Sequence, residues 1–134
     1  MNVLVDTSVW VDFFNGYASA EAQRLARLIE DEDDIATCGV VVAEFLQGLR
    51  NQDDVASLES HFRDMRWLEP AGPETYVAAA ALFRGLRRQG VTIRSTIDCL
   101  IARLAEEHEA FVLAKDRDLR LILESGLCVA RAVP

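Results

Sequence analysis

The sequence contains no apolar run long enough to cross a bilayer. Its longest uncharged apolar stretches, residues 40–43 and 77–83, fall far short of the roughly 18 residues that a membrane span needs. Met1 and Asn2 lead directly into a predicted strand, with no basic segment or cleavage site before it. We therefore expect a cytoplasmic protein that has no membrane partner.

Cysteine and histidine are sparse, and their spacing argues against two common kinds of site. Cys38, Cys99 and Cys128 are odd in number and each lies among apolar residues, a pattern that predicts buried, reduced thiols. His61 and His108 have no second histidine or cysteine at ligand spacing. This spacing argues against a zinc site.

Two widespread catalytic motifs are also missing. No G-x-S-x-G occurs, so nothing supports a Ser-His-Asp hydrolase. Residues 85–92, GLRRQGVT, have the glycine spacing of a phosphate-binding loop, but Val91 stands where that loop requires lysine. We interpret this segment as the C-terminal end of a helix.

Positive charge is the minority sign, since 22 acidic and 14 basic residues give a net charge of -8. This balance argues against indiscriminate binding of nucleic acid through a basic surface. All basic residues except Lys115 are arginines, whose planar guanidinium suits phosphate oxygens. The densest group of arginines, residues 84, 87, 88 and 94, is either a solvated helix end or an RNA contact, and the sequence leaves both open.

Apolar residues make up 51% of the 134 positions, enough to build one domain, residues 1–134, around a sizeable core. Their periodicity alternates between strand and helix. The predicted strands are 3–5, 35–38, 67–68, 111–114 and 127–133. The predicted helices are 9–14, 19–29, 40–49, 55–65, 73–89, one that begins at 95 and includes 104, and 116–124. This order predicts an α/β fold, a three-layer α/β/α sandwich with a mostly parallel sheet.

Four acidic residues interrupt apolar runs at comparable places. Asp6 ends the first predicted strand, and Glu44, Asp98 and Asp116 lie in or beside helices that follow such strands. Each has a simpler reading: Glu44 as an exposed helical residue, Asp98 in a capping box with Ser95, and Asp116 as a helix N-cap. Asp6 is the hardest to explain in this way, because ligands bind at the carboxyl ends of parallel strands.

Together the four acids predict a metal site. Carboxylates gathered at one sheet edge repel one another and raise each other's pKa unless a cation neutralises them. Hard oxygen ligands select Mg²⁺ or Mn²⁺, and such ions promote attack on phosphodiesters. The residues alone therefore indicate metal-dependent phosphoryl chemistry.

Four motifs resemble those of a known family. They are V-L-V-D-T-S at the start, V-V-A-E-F-L-Q-G-L around Glu44, S-T-I-D-C-L-I-A around Asp98 and L-A-K-D-R-D-L around Asp116. In this order they resemble the PIN-domain ribonucleases, and among these the VapC toxins of bacterial toxin-antitoxin pairs. The resemblance implies a PIN-like fold and an Mg²⁺- or Mn²⁺-dependent endoribonuclease that cleaves a tRNA or rRNA loop and leaves 5′-phosphate and 3′-hydroxyl ends.

The resemblance also assigns roles to residues. Thr7 would orient Asp6 or a bound water, and Ser95 would do the same beside Asp98. Leu119 stands where the family often has phenylalanine, a position that should pack inward. In the implied mechanism Glu44 binds the ion through water or positions the attacking water. The expected metal-site residues are Asp6, Glu44, Asp98 and Asp116, with Asp118 as an optional outer ligand.

The expected partners follow from the same resemblance and from apolar helices near the acids. Helix 40–49 has more apolar faces than one side of a sheet can cover, and Trp10, Phe13 and Phe14 add aromatic rings nearby. We expect a homodimer and a VapB-type antitoxin whose C-terminal segment lies in this groove and places an arginine among the acids. Phe13→Asp or Phe45→Asp should then weaken the complex.

Other classes of protein fit less well. A haloacid-dehalogenase-type phosphatase needs a second aspartate where Ser8 stands, and a receiver domain needs paired acids before its phospho-acceptor. The remaining alternative is a non-catalytic PIN-like module that binds protein or RNA and uses its carboxylates only as helix caps. Metal titration against an Asp6→Asn variant separates this module from an enzyme.

Overall fold

A computed structural model describes all residues from 1 to 134. It contains four strands and seven helices. In chain order they are β1 (Asn2–Val5), α1 (Thr7–Phe14), α2 (Ala20–Glu30), β2 (Asp34–Thr37), α3 (Gly39–Gln47), α4 (Gln52–Arg63), β3 (Arg66–Trp67), α5 (Pro73–Arg88), α6 (Thr96–Glu107), β4 (Phe111–Leu113) and α7 (Arg117–Glu124).

The four strands form one parallel sheet in the order β3-β2-β1-β4. β1 is central, with Val3 paired to Ile35 on one side and to Phe111 on the other. Val3, Leu4 and Val5 are completely buried, as expected for a strand that is covered on both faces. The predicted α/β fold with a parallel sheet is therefore confirmed.

The strand order reverses between β1 and β4. The chain moves outward from β1 to β2 and β3 and then returns to place β4 on the other side of β1. With right-handed crossovers this reversal puts α1–α4 and α5–α6 on opposite faces of the sheet. A crevice opens at the carboxyl ends of β1 and β4, which is where doubly wound sheets bind ligands.

An aromatic cluster fixes α1, α3 and α4 to one another. The Trp10 ring stacks on Phe14 at 5.5 Å and meets Phe62 edge-on at 5.5 Å, while Phe45 lies 5.3 Å from Phe62. α4 thereby covers much of α3, so the expectation of a broad uncovered apolar face on α3 is wrong. Phe45 is only 5% exposed and belongs to the core, so it is not a free docking residue.

Most element boundaries agree with the sequence pattern within about three residues, but the last predicted strand is wrong. Within 127–133 only Ala132 forms a bridge, to Val112. The Val129 amide donates instead to the Glu106 carboxylate at 2.6 Å, so the first part of this segment is tied to α6. Only its end pairs with β4, where the Val112 amide donates to the Arg131 carbonyl at 2.8 Å and the Val133 amide donates to the Val112 carbonyl at 3.0 Å. Elsewhere α5 ends as predicted, with Gly90 at φ +78° just beyond it.

Two further expectations concern thiols and membranes. Cys38 and Cys99 are buried, Cys128 is half-buried, and all three are free thiols, as predicted. None of the seven helices combines the length and the apolar character that a bilayer span requires.

Candidate active site

The four predicted acids meet in one cleft at the carboxyl edge of the sheet, beside the reversal in strand order. The cleft has a volume of about 390 Å³, and all but one of its lining residues are polar. They are Asp6, Thr7, Ser8, Glu44, Arg94, Ser95, Ile97, Asp98, Asp116 and Asp118. The topology thus brings together residues that lie far apart along the chain.

Asp6 enters the cleft from the end of β1 and is 5% exposed. It is also the N-cap of α1, because its Oδ2 accepts a hydrogen bond from the Ser8 amide at 3.2 Å. The Ser8 hydroxyl donates to the same oxygen at 2.6 Å. Thr7 was expected to orient Asp6 or a bound water. Its hydroxyl points to the Val41 carbonyl at 3.4 Å and is also a hydrogen-bond partner of Glu44, so the part of the expectation that concerns Asp6 is wrong, and the part that concerns a water stays a prediction.

Asp116, which follows β4, likewise caps a helix and lines the cleft. Its Oδ2 accepts from the Leu119 amide at 3.1 Å, so it caps α7. Its other oxygen, Oδ1, lies 3.4 Å from Nη2 of Arg94 at the rim of the cleft. The N-cap reading of Asp116 is therefore correct, and it does not exclude a place in the cleft.

Asp98 lies in the first turn of α6 and accepts no hydrogen bond. Ser95 caps this helix by accepting from the Ile97 amide at 3.1 Å, but the reciprocal bond of a capping box is absent. Ser95 likewise makes no hydrogen bond to Asp98. The Asp98 carboxylate thus lies near the other acids and has no hydrogen-bond donor of its own.

Burial and the neighbouring carboxylates raise the pKa values of three of these acids. Burial, followed by the charges of Asp116 and Asp6, raises the pKa of Asp98 to about 7. Burial also raises the pKa of Asp6, with Asp116 adding to the rise. Burial, Asp6 and Asp116 raise the pKa of Glu44, whose helix α3 faces the cleft. The cleft therefore carries an excess of negative charge.

This donor set fits a divalent cation. Asp98, Asp116 and Asp118 each bring one carboxylate oxygen within 4.8 Å of the others. Carboxylate oxygens are the ligands that Mg²⁺ and Mn²⁺ prefer, and a cation would offset the mutual repulsion of these carboxylates.

Asp118 differs from the other acids because it is already neutralised. It is 2% exposed, and its Oδ2 accepts from the Arg94 amide at 3.0 Å and from Arg94 Nε at 3.1 Å. Arg117 Nη1 lies 3.4 Å from its Oδ1. The Arg94 amide is the main cause that lowers the pKa of Asp118, and the Arg94 side chain adds to it.

Sequence reasoning missed two residues of the cleft. It passed over Ser8 in favour of its neighbour Thr7, although V-D-T-S offers both hydroxyls. It also grouped Arg94 with three arginines of α5, whereas the structure places Arg94 in the loop before α6. The available signal for Arg94 was its position in R-S-T-I-D, four residues before Asp98.

A doubly wound parallel sheet with convergent carboxylates at its carboxyl edge defines a PIN-like protein, and comparison with known proteins agrees. The PIN domain family model matches residues 3–122. Ribonuclease VapC11 of Mycobacterium tuberculosis and a VapC ribonuclease of Mycobacterium bovis are each 36% identical over 121 residues, covering 90% of both chains. The chain belongs to the PIN-domain family and, within it, to the VapC ribonucleases.

Solved structures show the same fold. VapBC-1 of Haemophilus influenzae superimposes with a TM-score of 0.72 and 17% identity, covering 99% of this chain and 97% of that chain. VapBC2 of Rickettsia felis, bound to promoter DNA, gives 0.71 and 19%, covering 100% and 98%. The sarcin-ricin loop cleaving toxin VapC20 of Mycobacterium tuberculosis gives 0.61 and 19%, covering 88% and 92%.

Proposed function

We propose that this protein is a divalent-metal-dependent endoribonuclease and the toxin of a type II toxin-antitoxin pair. The observation that carries the proposal is the cleft in which Asp6, Glu44, Asp98 and Asp116 converge with raised pKa values at three of the four acids. Similarity to the VapC ribonucleases supplies the substrate class, RNA. The protein would act as one domain over residues 1–134.

Asp6, Asp98 and Asp116 would hold Mg²⁺, with Mn²⁺ as a substitute. Such an ion supplies Lewis-acid activation of water and neutralises charge on the phosphodiester. Ser8 fixes the Asp6 carboxylate through its 2.6 Å hydrogen bond, and Asp98 needs to give up no hydrogen bond to become a ligand. The site is therefore organised before any ion enters it.

Glu44 is suited to handle the attacking water. It is the most exposed of the four acids, and burial together with Asp6 and Asp116 raises its pKa, which makes its carboxylate a better proton acceptor. Glu44 would orient this water for in-line attack on phosphorus and take up its proton. The reaction would leave 5′-phosphate and 3′-hydroxyl ends.

The RNA would be a tRNA or an rRNA loop. Unpaired loops expose a flexible backbone that can bend into a cleft at a sheet edge, whereas paired RNA is stiffer. VapC20, which has the same fold, is described as cleaving the sarcin-ricin loop, and this supports an rRNA loop as one of the two substrates to test.

A VapB-type antitoxin would bind beside the active site. A groove of about 540 Å³ lies between α1, α3 and α4, and Val11, Phe14, Leu49 and Leu58 are among its apolar lining residues. Glu44 lines both this groove and the acidic cleft, so a peptide in the groove could place an arginine among the acids. The net charge of -8 favours a basic peptide. Complexes of this kind have the same fold, and we expect the toxin itself to be a homodimer.

The test is cleavage of end-labelled tRNA and rRNA fragments with Mg²⁺ or with EDTA, followed by analysis of the RNA ends. Asp98→Asn should slow cleavage by about 10²-fold or more, because the amide cannot supply the ligand charge. Glu30→Gln, at the exposed end of α2, is the matched control and should cleave normally. Equal rates of cleavage in EDTA and in Mg²⁺ would refute the dependence on a metal ion. RNA binding without cleavage would favour the non-catalytic module.

A further inference from the structure

Asp118 holds two arginines at the rim of the acidic cleft. Its carboxylate is 2% exposed, whereas the side chains of Arg94 and Arg117 are 80% and 77% exposed. Arg94 is fixed at two points, since both its amide and its Nε donate to Oδ2 of Asp118. A buried carboxylate thus anchors an arginine whose side chain is otherwise largely exposed, with Nη2 3.4 Å from Asp116 Oδ1.

These contacts leave the Asp118 carboxylate less free to bind an ion than Asp98, although it lies close to Asp98 and Asp116. Oδ2 already accepts two hydrogen bonds, and Oδ1 lies near Arg117. Binding an ion would compete with these charge-assisted hydrogen bonds for the buried carboxylate. The exposed arginines would also be brought beside a divalent cation, where repulsion opposes binding.

Arg94 is the only cationic residue that lines the cleft. An RNA strand that enters must bring its phosphates close to several carboxylates in a protein of net charge -8. A fixed cation at the rim offsets that repulsion where the strand enters. The Nε edge of the guanidinium is occupied by Asp118, and its Nη2 lies 3.4 Å from Asp116, so the guanidinium lies at the edge of the cleft.

We propose that Arg94 binds a backbone phosphate of the RNA beside the cleaved bond, and that Asp118 is a positioning residue that holds Arg94 in place. The proposal rests on the ribonuclease function proposed above and names the group that would bind the substrate. An arginine fork with one edge anchored is well suited to a phosphate, because its orientation is set before binding.

The test compares Arg94→Ala, Arg94→Lys and Asp118→Asn with the wild-type protein. Arg94→Ala should raise KM for the RNA by roughly tenfold and leave kcat within about twofold, since the lost contact serves binding. Arg94→Lys should recover part of that loss, because lysine keeps the charge but lacks the fork. Asp118→Asn should raise KM in the same way by releasing Arg94.

Two further measurements separate a phosphate contact from a structural role. In an Asp98→Asn background that binds RNA without cleaving it, Arg94→Ala should reduce the salt slope of RNA binding by about 0.7, the value for one phosphate contact on a single strand. Calorimetric Mg²⁺ titration without RNA should show unchanged or tighter binding for Arg94→Ala and Asp118→Asn. The matched control is Arg66→Ala, which removes an arginine paired with Asp34 at the opposite edge of the sheet and should change neither KM nor the slope.

Three outcomes would overturn the proposal. If Asp118→Asn weakens Mg²⁺ binding as much as Asp98→Asn does, then Asp118 is a metal ligand. Arg94→Ala that lowers kcat at unchanged KM would exclude a role in binding, and an unchanged salt slope would exclude a phosphate contact. A wild-type protein that binds Mg²⁺ but cleaves no RNA would instead refute the proposed function.

Discussion

The Ser8 hydroxyl donates a 2.6 Å hydrogen bond to Oδ2 of Asp6, and it also accepts one from the backbone amide of Lys115 at 3.1 Å. Asp6 ends β1 and Lys115 follows β4, so one hydroxyl ties together the two strands between which the strand order reverses. The Ser8 hydroxyl that orients the Asp6 carboxylate therefore also links the carboxyl ends of β1 and β4, on the two sides of the crevice.

Ser8→Ala should therefore affect both stability and metal binding. It leaves the Lys115 amide without this partner and Asp6 without its shortest hydrogen bond, and we expect a loss of about 1–3 kcal/mol in the free energy of unfolding. Mg²⁺ affinity should fall as well. Urea unfolding and calorimetric Mg²⁺ titration measure the two effects.

Thr7→Val is the matched comparison for Ser8→Ala. Its hydroxyl makes a 3.4 Å contact with the Val41 carbonyl and a hydrogen bond with Glu44 but none with Asp6. Valine has nearly the same shape as threonine, so we expect smaller losses of stability and of Mg²⁺ affinity. A larger loss of Mg²⁺ affinity in Thr7→Val than in Ser8→Ala would show that the wrong hydroxyl has been assigned to Asp6.

The pKa of about 7 at Asp98 predicts a dependence of stability on pH. The folded-state pKa lies above the unfolded value near 4, so folding binds a proton between these two values. The stabilisation from this group is fully present below about pH 4 and is lost as pH rises to about 7. In EDTA, Asp98→Asn should therefore gain stability relative to wild type as pH rises from 4 to 8.

Thermal unfolding across pH 4–8 checks this prediction, with Glu30→Gln as the control that should follow the wild-type curve. The comparison of variant with wild type matters because other acids of the cleft titrate too. An Asp98→Asn curve parallel to that of wild type would mean that burial and the neighbouring carboxylates do not raise the pKa of Asp98.

Divalent metal should stabilise the protein by mass action. An ion that binds only the folded state adds about 2.7 kcal/mol at a concentration 100-fold above its Kd. We expect Mn²⁺ and Mg²⁺ to raise the melting temperature of wild type and of Glu30→Gln, and to raise that of Asp98→Asn much less. A melting temperature that stays constant over a wide range of Mn²⁺ would argue against a metal site.

Binding of an antitoxin in the proposed groove between α1, α3 and α4 is best tested with a variant other than Phe45→Asp. Phe45 is buried, so Phe45→Asp should unfold the protein by placing a charge in the core. Val11 lines the groove and is 41% exposed, so Val11→Asp should weaken the complex while the protein stays folded. Co-purification with the product of a neighbouring antitoxin gene measures this effect.

Val129→Asp is the control for Val11→Asp. Val129 is 81% exposed and belongs to the segment tied to α6, away from the groove, so this variant should bind the antitoxin normally. Equal binding by Val11→Asp and wild type would place the antitoxin elsewhere.

Sequence periodicity predicted the fold well where packing follows local pattern. β1 is apolar on both faces because it is the central strand, and α6 shows its buried stripe at helical spacing. The last strand was predicted wrongly because residues 127–133 have strand-like composition, whereas their conformation depends on the Glu106 carboxylate, which accepts from the Val129 amide. A side chain more than twenty residues away leaves no mark on local pattern.

The same limit applies to the cleft. Asp6, Glu44, Asp98 and Asp116 could be found because each interrupts an apolar run, and the structure brings all four to one place. The contacts of Asp118 with Arg94 could not be found, since they join residues 24 apart in the chain. The exposure of Phe45 was misjudged because its cover, Phe62, comes from α4 and not from the sheet.

The pairing of β1 with β4 bears on the order in which this protein becomes active during synthesis. β1 is synthesised first, but one of its edges stays unpaired until β4 has been synthesised. Contacts between residues so distant in sequence form late. A nascent chain that has reached only α5 carries Asp6 and Glu44 but neither Asp98 nor Asp116. The complete set of carboxylates thus exists only after the chain has been synthesised beyond Asp116 and β4 has paired with β1, so an incomplete nascent chain holds only half of the four acids of the cleft.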